Sequence, residues 1–408
     1  MKIVNLGIGI VPVPPGDIAA STEEHIFQLT RQLGKLNCDV HVIDIKAGEI
    51  QKQKRQQSPA KFHLVWRSPL PSRYKKRFLQ RFLGYVLTRS QEFLFALLAL
   101  FPLNRLISKE KINIVHTHHA NITLVTILAC KLRRHKPIIV YRPGAAYGLN
   151  KFSRRNRIFY FTETLSLKWV DHIIASTPAV KRWLVSEFKL SPDKITHIYA
   201  GTDLDSATEF LTRKQKPCHQ SKMVLCTGGI IERKNQLTAV KAIARVVKTH
   251  PDVKLIFTGP LAQADYVNSI RNFIMENSLS ANVDIKGEVS RHELYELYSD
   301  AQLLLFPTTA EIDPDSLRDA FTFGLPVITS KIENIADIVN QEKGCAILVA
   351  PYDVDGFAEA VTRLLNDTAL RQTMSEKAMK LGQFFSYESI AKQTLALYEK
   401  LVQNEKQS

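Results

Sequence analysis

Two carboxylates and a basic pair carry the chemistry that can be read in this chain. Glu311 lies in AEIDPDSLRDAFTFGLPVI, directly after the apolar run Gln302–Phe306, and Asp319 follows eight positions later at what reads as the start of a helix. Arg233 and Lys234 lie in CTGGIIERKNQLTAVKAIARV, after another apolar run and the pair Gly228–Gly229. Carboxylates at the carboxyl end of a strand suit the hydroxyls of a sugar. Glycines that let backbone come close, followed by Arg-Lys, suit a diphosphate. Gly259, in KLIFTGP, adds a further turn of the phosphate-side type, and the N–H groups around Ser316, Leu317 and Arg318 are expected to face phosphate oxygens. A second reading of Asp319 stays open, because Ser316-x-x-Asp319 is a capping-box-like pattern that needs no ligand.

The elements that would position these residues follow from short β-rich runs alternating with helical patterns. In the first half Ile3–Leu6, Val40–Ile43, Ile112–His116, Ile138–Tyr141, His172–Ala175 and Ile195–Tyr199 read as strands, with helices over Ser21–Leu36 and Arg77–Ile107 between them. The second half repeats the scheme with Met223–Thr227, Lys254–Thr258, Val283–Lys286, Gln302–Phe306, Val327–Thr329 and Ala346–Val349. Such alternation predicts parallel sheets wrapped by helices. At 408 residues the chain is too long for one ordinary core. The expected division is an α/β domain over 1–204, a polar linker over 205–221 and a second α/β domain over 222–385. A helix from about 386 to 405 closes the chain. No fixed-period repeat is visible.

Composition bounds the function further. A hydrophobic content of 45% excludes a disordered chain, and five scattered cysteines without a Cys-x-x-Cys argue against a disulfide framework or a zinc ribbon and for a reducing cytosol. The N-terminal apolar run reads as a first strand and not as a signal peptide. The longest uncharged apolar stretch, Phe93–Leu103, is far shorter than the roughly 20 residues a membrane span requires. The net charge of +16 is uneven: residues 1–200 hold 32 Lys/Arg against 12 Asp/Glu, and the remainder 23 against 27. Residues 51–91 and 131–158 contain no acid at all. An anionic membrane surface is an expected partner of this first half, with residues 74–107 suited to an interfacial helix; ordinary packing of that helix on a sheet is the alternative. Nucleic acid is not expected, since no reading motif accompanies the charge.

Three histidines, His116, His118 and His119, close the strand INIVHTHHA, and alternation sends His116 and His118 to one side of it. No carboxylate sits at metal-ligand spacing beside them. Asp203-Leu-Asp205, Asp313-Pro-Asp315 and Asp353-Val-Asp355 are short enough to recur by chance, so no metal is expected. At the front, GIGIVPVPPGD could bring backbone to a phosphate or simply turn the chain.

The order of these segments over the full chain resembles the retaining glycosyltransferases of family 4 (glycosyl transferases group 1). The resemblance implies a GT-B fold: two Rossmann-like domains facing across a cleft, the terminal helix crossing back to the first. It implies that Glu311 contacts the donor sugar, that Asp319 stands where a Glu binds the ribose, and that Lys234 binds the donor's phosphates. Gly16, His116, His118 and Arg142 would line the acceptor side or cleft, and Glu24 and His25 match in type a helix that follows the front loop. The chain departs from the family at Gly229, where an Arg is usual, at Pro143-Gly144, where a His precedes the Gly, at Ala200, where an Asn is usual, and at Glu333–Asn334, where a Gly-Gly is typical.

The function implied is transfer of a hexosyl-type sugar from a nucleotide sugar to a hydroxyl of a glycan or lipid-linked acceptor. The reaction would be retaining and metal-independent, with no cofactor beyond the donor substrate, in cell-envelope polysaccharide or glycolipid synthesis. The implied location is the cytoplasm, peripheral on the inner face of the membrane. A catalytically impaired GT-B scaffold and a GT-B nucleotide-sugar epimerase are the competing readings.

Overall fold

A computed structural model describes residues 1–6, 21–44, 58–64, 97–131, 136–143, 157–214 and 222–407. The chain divides into two units, one of Met1–Ala200 with Tyr387–Ser408 and one of Gly201–Ser386.

Among its described residues the first unit holds seven parallel strands: β1 (Lys2–Leu6), β2 (Asp39–Asp44), β3 (Lys61–Leu64), β4 (Ile114–Thr117), β5 (Ile138–Tyr141), β6 (His172–Ala175) and β7 (Ile195–His197). Their order across the sheet is β3-β2-β1-β4-β5-β6-β7. Ile114, Val115, Ile139, Val140, Ile173 and Ile174 are fully buried. Unbroken apolar runs of this kind are what a sheet covered on both faces requires. The terminal helix, Tyr387–Gln407, belongs to this unit and packs on helix Ser21–Lys35. Its apolar stripe, with Ile390, Ala391, Leu397 and Tyr398, is turned inward.

The second unit holds β8 (Met223–Thr227), β9 (Lys254–Thr258), β10 (Val283–Gly287), β11 (Leu303–Phe306), β12 (Val327–Ser330) and β13 (Ala346–Val349), in the order β10-β9-β8-β11-β12-β13. All are parallel. One core joins Val224, Leu255, Phe257, Leu303, Leu305 and Ile328 of the sheet to helices Gln236–Val246 and Val354–Asn366. Each such side chain contributes about 1.5–3 kcal/mol on leaving water. The strand order reverses between β8 and β11, so the loops after those two strands diverge and leave a crevice at the carboxyl edge. Lys234 follows β8 and Glu311 follows β11.

Every strand expected from the sequence is present, and β3 is an additional one. The segment read as a linker is a correction. Helix Leu204–Arg213 occupies its first part, with the Asp203 side chain accepting from the Ser206 N–H at 3.2 Å, and packs beside helix Arg291–Asp300; residues 215–221 lie outside the described residues. Ala207 is its one buried residue among many polar ones, which is why the run reads as solvent-facing. The chain enters this unit beside the point where it leaves: Thr202 N–H donates to Phe385 O at 2.8 Å, and Thr202 bridges Ser386. Among the described residues no helix is long and apolar enough to cross a membrane.

Candidate functional site

Strand β8 ends at Thr227 and the chain turns at Gly228, whose φ of 117° an L side chain rarely adopts. Gly259, after β9, has φ 132°, and a Cβ there would lie 2.4 Å from Gly228 O. The two turns therefore stack backbone on backbone, fixed by Gly228 N–H to Thr258 O (2.9 Å) and Ile230 N–H to Pro260 O (2.9 Å). A short 3-10 turn, Glu232–Lys234, follows, and Asn235 in the left-handed region (φ 56°) passes the chain into helix Gln236–Val246.

That turn is tied to the loop after β11. Thr309 N–H (2.9 Å), Thr309 Oγ1 (3.0 Å) and Thr308 Oγ1 (3.1 Å) all donate to the Arg233 carbonyl. Asn235 Nδ2 donates to Pro307 O at 3.1 Å. Glu311 is thereby brought to the basic pair: its Oε1 is 2.7 Å from Arg233 Nη1 and in contact with Lys234 Nζ. Lys234 Nζ also lies 4.7 Å from the centre of the Phe306 ring. The Glu311 side chain is 8% exposed and that of Lys234 14%, against 45% for Arg233, so the inner pair is the more shielded and its attraction the stronger. Asn334 Nδ2 donates to the Glu311 carbonyl, so the segment that replaces Gly-Gly braces the Glu311 loop.

The helix after this loop begins at Asp315 with Pro314 as its N-cap, and the Ser316-x-x-Asp319 capping box does not form. The N–H groups of Leu317 and Arg318, expected to face phosphate, donate to Pro314 O instead (3.1 and 3.4 Å), and the Leu317 side chain is fully buried. Asp313 and Asp315, read as a chance pair, both grip the buried Arg318. Ser316 presents its carbonyl to the Tyr298 hydroxyl at 3.1 Å. Asp319 is engaged from within its own unit: Thr202 Oγ1 donates to Oδ1 and Arg291 Nη1 to Oδ2, each at 3.0 Å. The Arg291 guanidinium, 4.7 Å from the Tyr295 ring, caps this carboxylate. Thr202 and Arg291 carry no local sequence signal for that role, because both partners are distant along the chain.

In the first unit the calculation from alternation holds for His116 and His118, whose ring centres are 4.3 Å apart. Neither is open to a substrate, and this corrects the expectation of cleft-lining groups. Both are buried, and Tyr398 of the terminal helix lies 2.6 Å from His116 Nδ1. Burial holds His116 down to about 3 and His118 well below the usual histidine range, with the neighbouring charges acting in the same direction. His25 joins them, its ring 6.0 Å from His118 and 5.7 Å from Tyr387. Arg142, expected to meet an anionic acceptor, is buried and donates to Ile198 O at 2.9 Å. Gly16, Gly144 and most of the basic stretch 51–91 lie outside the described residues.

The arrangement in the second unit can therefore hold a divalent or dianionic phosphate group with Lys234 and Arg233, and a hydroxylated group with Glu311. Comparison with known proteins agrees in kind. The description "Glycosyltransferase Family 4" matches residues 22–206 and "Glycosyl transferases group 1" matches residues 208–381, nearly the whole chain between them. An uncharacterized glycosyltransferase of Methanocaldococcus jannaschii is 24% identical over 71% of this chain and 76% of its own. The UDP-Gal:alpha-D-GlcNAc-diphosphoundecaprenol alpha-1,3-galactosyltransferase of Escherichia coli is 23% identical over 67% of this chain and 71% of its own. Among solved structures, Anabaena HepE in complex with UDP and glucose superposes with a TM-score of 0.70 at 17% identity, covering 98% of this chain and 99% of its own. At that identity the likeness establishes the fold, two Rossmann-like units of the GT-B type.

Proposed function

The chain belongs to the family 4 (group 1) glycosyltransferases, and on that premise we propose that it moves a hexosyl-type sugar, with retention, from a nucleotide-sugar donor to a hydroxyl of a glycan or lipid-linked acceptor. The observation that carries this reading is the convergence of Arg233, Lys234 and Glu311 at the strand-order reversal of the second sheet. Lys234 and Arg233 hold the donor diphosphate, displacing their ion pairs with Glu311. Glu311, released from them, takes up the sugar hydroxyls. The UDP and glucose bound by Anabaena HepE, and the diphosphoundecaprenol in the name of the E. coli relative, support a nucleoside-diphosphate sugar as donor and a lipid-linked acceptor.

In the reaction proposed, the bond from the anomeric carbon to the diphosphate oxygen breaks and a bond to the acceptor oxygen forms on the same face of the sugar. The departing phosphate oxygen takes the acceptor's proton. No protein nucleophile and no metal are required, because Lys234 and Arg233 neutralise the charge that grows on the diphosphate. A site of fixed cations in partly buried surroundings stabilises that charge more than water does.

A panel of UDP-, GDP- and ADP-hexoses tests this reading. One of them is expected to raise the melting temperature and, with a polyprenyl-diphosphate saccharide, to yield an α-linked product whose anomeric configuration matches the donor's. Binding without turnover or hydrolysis favours the scaffold reading, which is motivated by Pro143 in the usual His position, Gly229 in the usual Arg position and Glu333–Asn334 in place of Gly-Gly. An altered sugar formed without acceptor favours the epimerase. The basic first half, net +20 over residues 1–200, supports docking on an anionic membrane from the cytoplasmic side in cell-envelope synthesis. Failure of anionic liposomes to retain the protein at low salt would remove that part of the proposal.

A further inference from the structure

At the amino edge of the first sheet four groups of metal-binding type come together. Asp39 opens β2, His41 follows two positions later, His63 lies in β3, and Glu110 ends the helical residues 97–110. His41 Nε2 lies 3.3 Å from Asp39 Oδ1, and a Glu110 oxygen lies within 4.8 Å of both. His41 is only 3% exposed, and its Nε2 makes no hydrogen bond. Its other ring nitrogen, Nδ1, is 3.0 Å from His63 Nε2, with the two rings within 9° of parallel.

This geometry leaves His41 without a satisfactory proton. With the hydrogen on Nδ1, donated to His63, the Nε2 lone pair faces a carboxylate. With the hydrogen on Nε2, a buried N–H has no aligned acceptor. Either state leaves a buried polar atom without a suitable partner, which is costly. A cation between Nε2 and the carboxylates removes the cost. The 3.3 Å separation of Nε2 and Oδ1 is the edge of a tetrahedron whose metal–ligand distances are about 2.0–2.1 Å.

We propose that Asp39, His41 and Glu110 bind a zinc-class divalent cation, with His63 accepting from His41 Nδ1–H and so fixing the ligating tautomer. Imidazole with two carboxylates suits zinc or cobalt and disfavours magnesium and calcium. The charged neighbours are Lys61, 2.8 Å from Asp39 Oδ1, and Lys2, 2.9 Å from Glu110 Oε2. Both lysine side chains reach solvent and swing outward when the cation arrives. The ion pins the end of the helical residues 97–110 to β2. It is a structural site in unit 1, and the donor loops of unit 2 take no part in it.

The full chain, without an affinity tag and stripped with chelator, is titrated with Co2+ alone. One equivalent is expected to give the visible d–d absorption of a low-coordinate site, bleached by Zn2+. Zn2+ is expected to raise the melting temperature. Glu110→Gln, a change at a partly exposed position, is expected to weaken Co2+ binding at least tenfold (roughly the scale on which site-ligand changes act) and to abolish the Zn2+ shift. His41→Gln removes both readouts, and His292→Gln, an exposed histidine of the other unit, changes neither. Equal Co2+ affinity in wild type and Glu110→Gln, or no d–d absorption in wild type, overturns the site and leaves the lysine ion pairs as the whole of its chemistry.

Discussion

Lys234 Nζ and Glu311 Oε1 form an ion pair across the point where the second sheet reverses its strand order, one group from the loop after β8 and the other from the loop after β11. Neither loop could present its charge alone. The Arg233 carbonyl accepts three hydrogen bonds from Thr308 and Thr309, which fixes the spacing between the loops before any ligand arrives. Preorganised charge of this kind acts on a transition state without a reorganisation cost.

Lys234→Ala is expected to reduce kcat about 100- to 1,000-fold, the range seen when one preorganised charge-stabilising donor is lost. Arg233→Ala is expected to cost less, because that guanidinium is the more solvent-exposed of the two and is screened. Steady-state kinetics with the donor found in the panel checks the ranking. Wild-type turnover in Lys234→Ala would remove the role assigned to it.

Glu311→Gln leaves two cations facing one another in a partly closed space. Its unliganded form is expected to lose about 1–3 kcal/mol of stability, the scale for an uncompensated charged partner. A nucleoside diphosphate supplies the missing counter-charge. The variant is therefore expected to gain more in melting temperature from UDP or its matching analogue than wild type does. An equal gain in both proteins would mean that the diphosphate does not share the cations with Glu311.

The fold was legible because its strands are apolar runs with clear breaks: Ile138–Tyr141 or Leu303–Phe306 can hardly be anything else. Glu311, Lys234 and Arg233 could be located because they follow strands on either side of a reversal in a parallel sheet, a place set by topology. The short edge strand β3, KFHL, lies within an acid-free polar stretch and offers only Phe62 and Leu64 as alternating apolar positions. The hydrogen bonds of Asp319 were not legible either. Whether its carboxylate is open or engaged depends on Thr202 and Arg291, whose approach is set by tertiary packing alone. The same holds for His116 and His118, which alternation placed together without revealing that both are buried and that Tyr398 meets His116.

Asp319→Asn is expected to act on stability first. Both carboxylate oxygens already accept hydrogen bonds, one from a guanidinium, and loss of the charge costs about 1.5–3 kcal/mol. Donor KM is expected to change little in the folded variant. A KM increase of tenfold or more with an unchanged melting temperature would restore the ribose-binding role that the sequence resemblance implies.

Glu163 sets a pH dependence of the first unit. It is buried, and the Tyr141 hydroxyl lies 2.9 Å from both its oxygens. Burial pushes its carboxyl up to about 7, against the opposing effect of the Tyr141 hydrogen bond. In the unfolded chain a glutamate ionises near 4.3. Between those values the unfolded state binds fewer protons than the folded one, so stability falls as pH rises from about 4.5 to about 7 and levels off above. Glu163→Gln keeps an acceptor for Tyr141 and removes the ionisation. The variant is expected to exceed wild type by about 3–4 kcal/mol at pH 8, and by little or nothing at pH 4.5. Urea titrations of both proteins at the two pH values measure the difference directly. A constant offset across pH would show that Glu163 does not change its protonation on unfolding, and would locate any gain in packing.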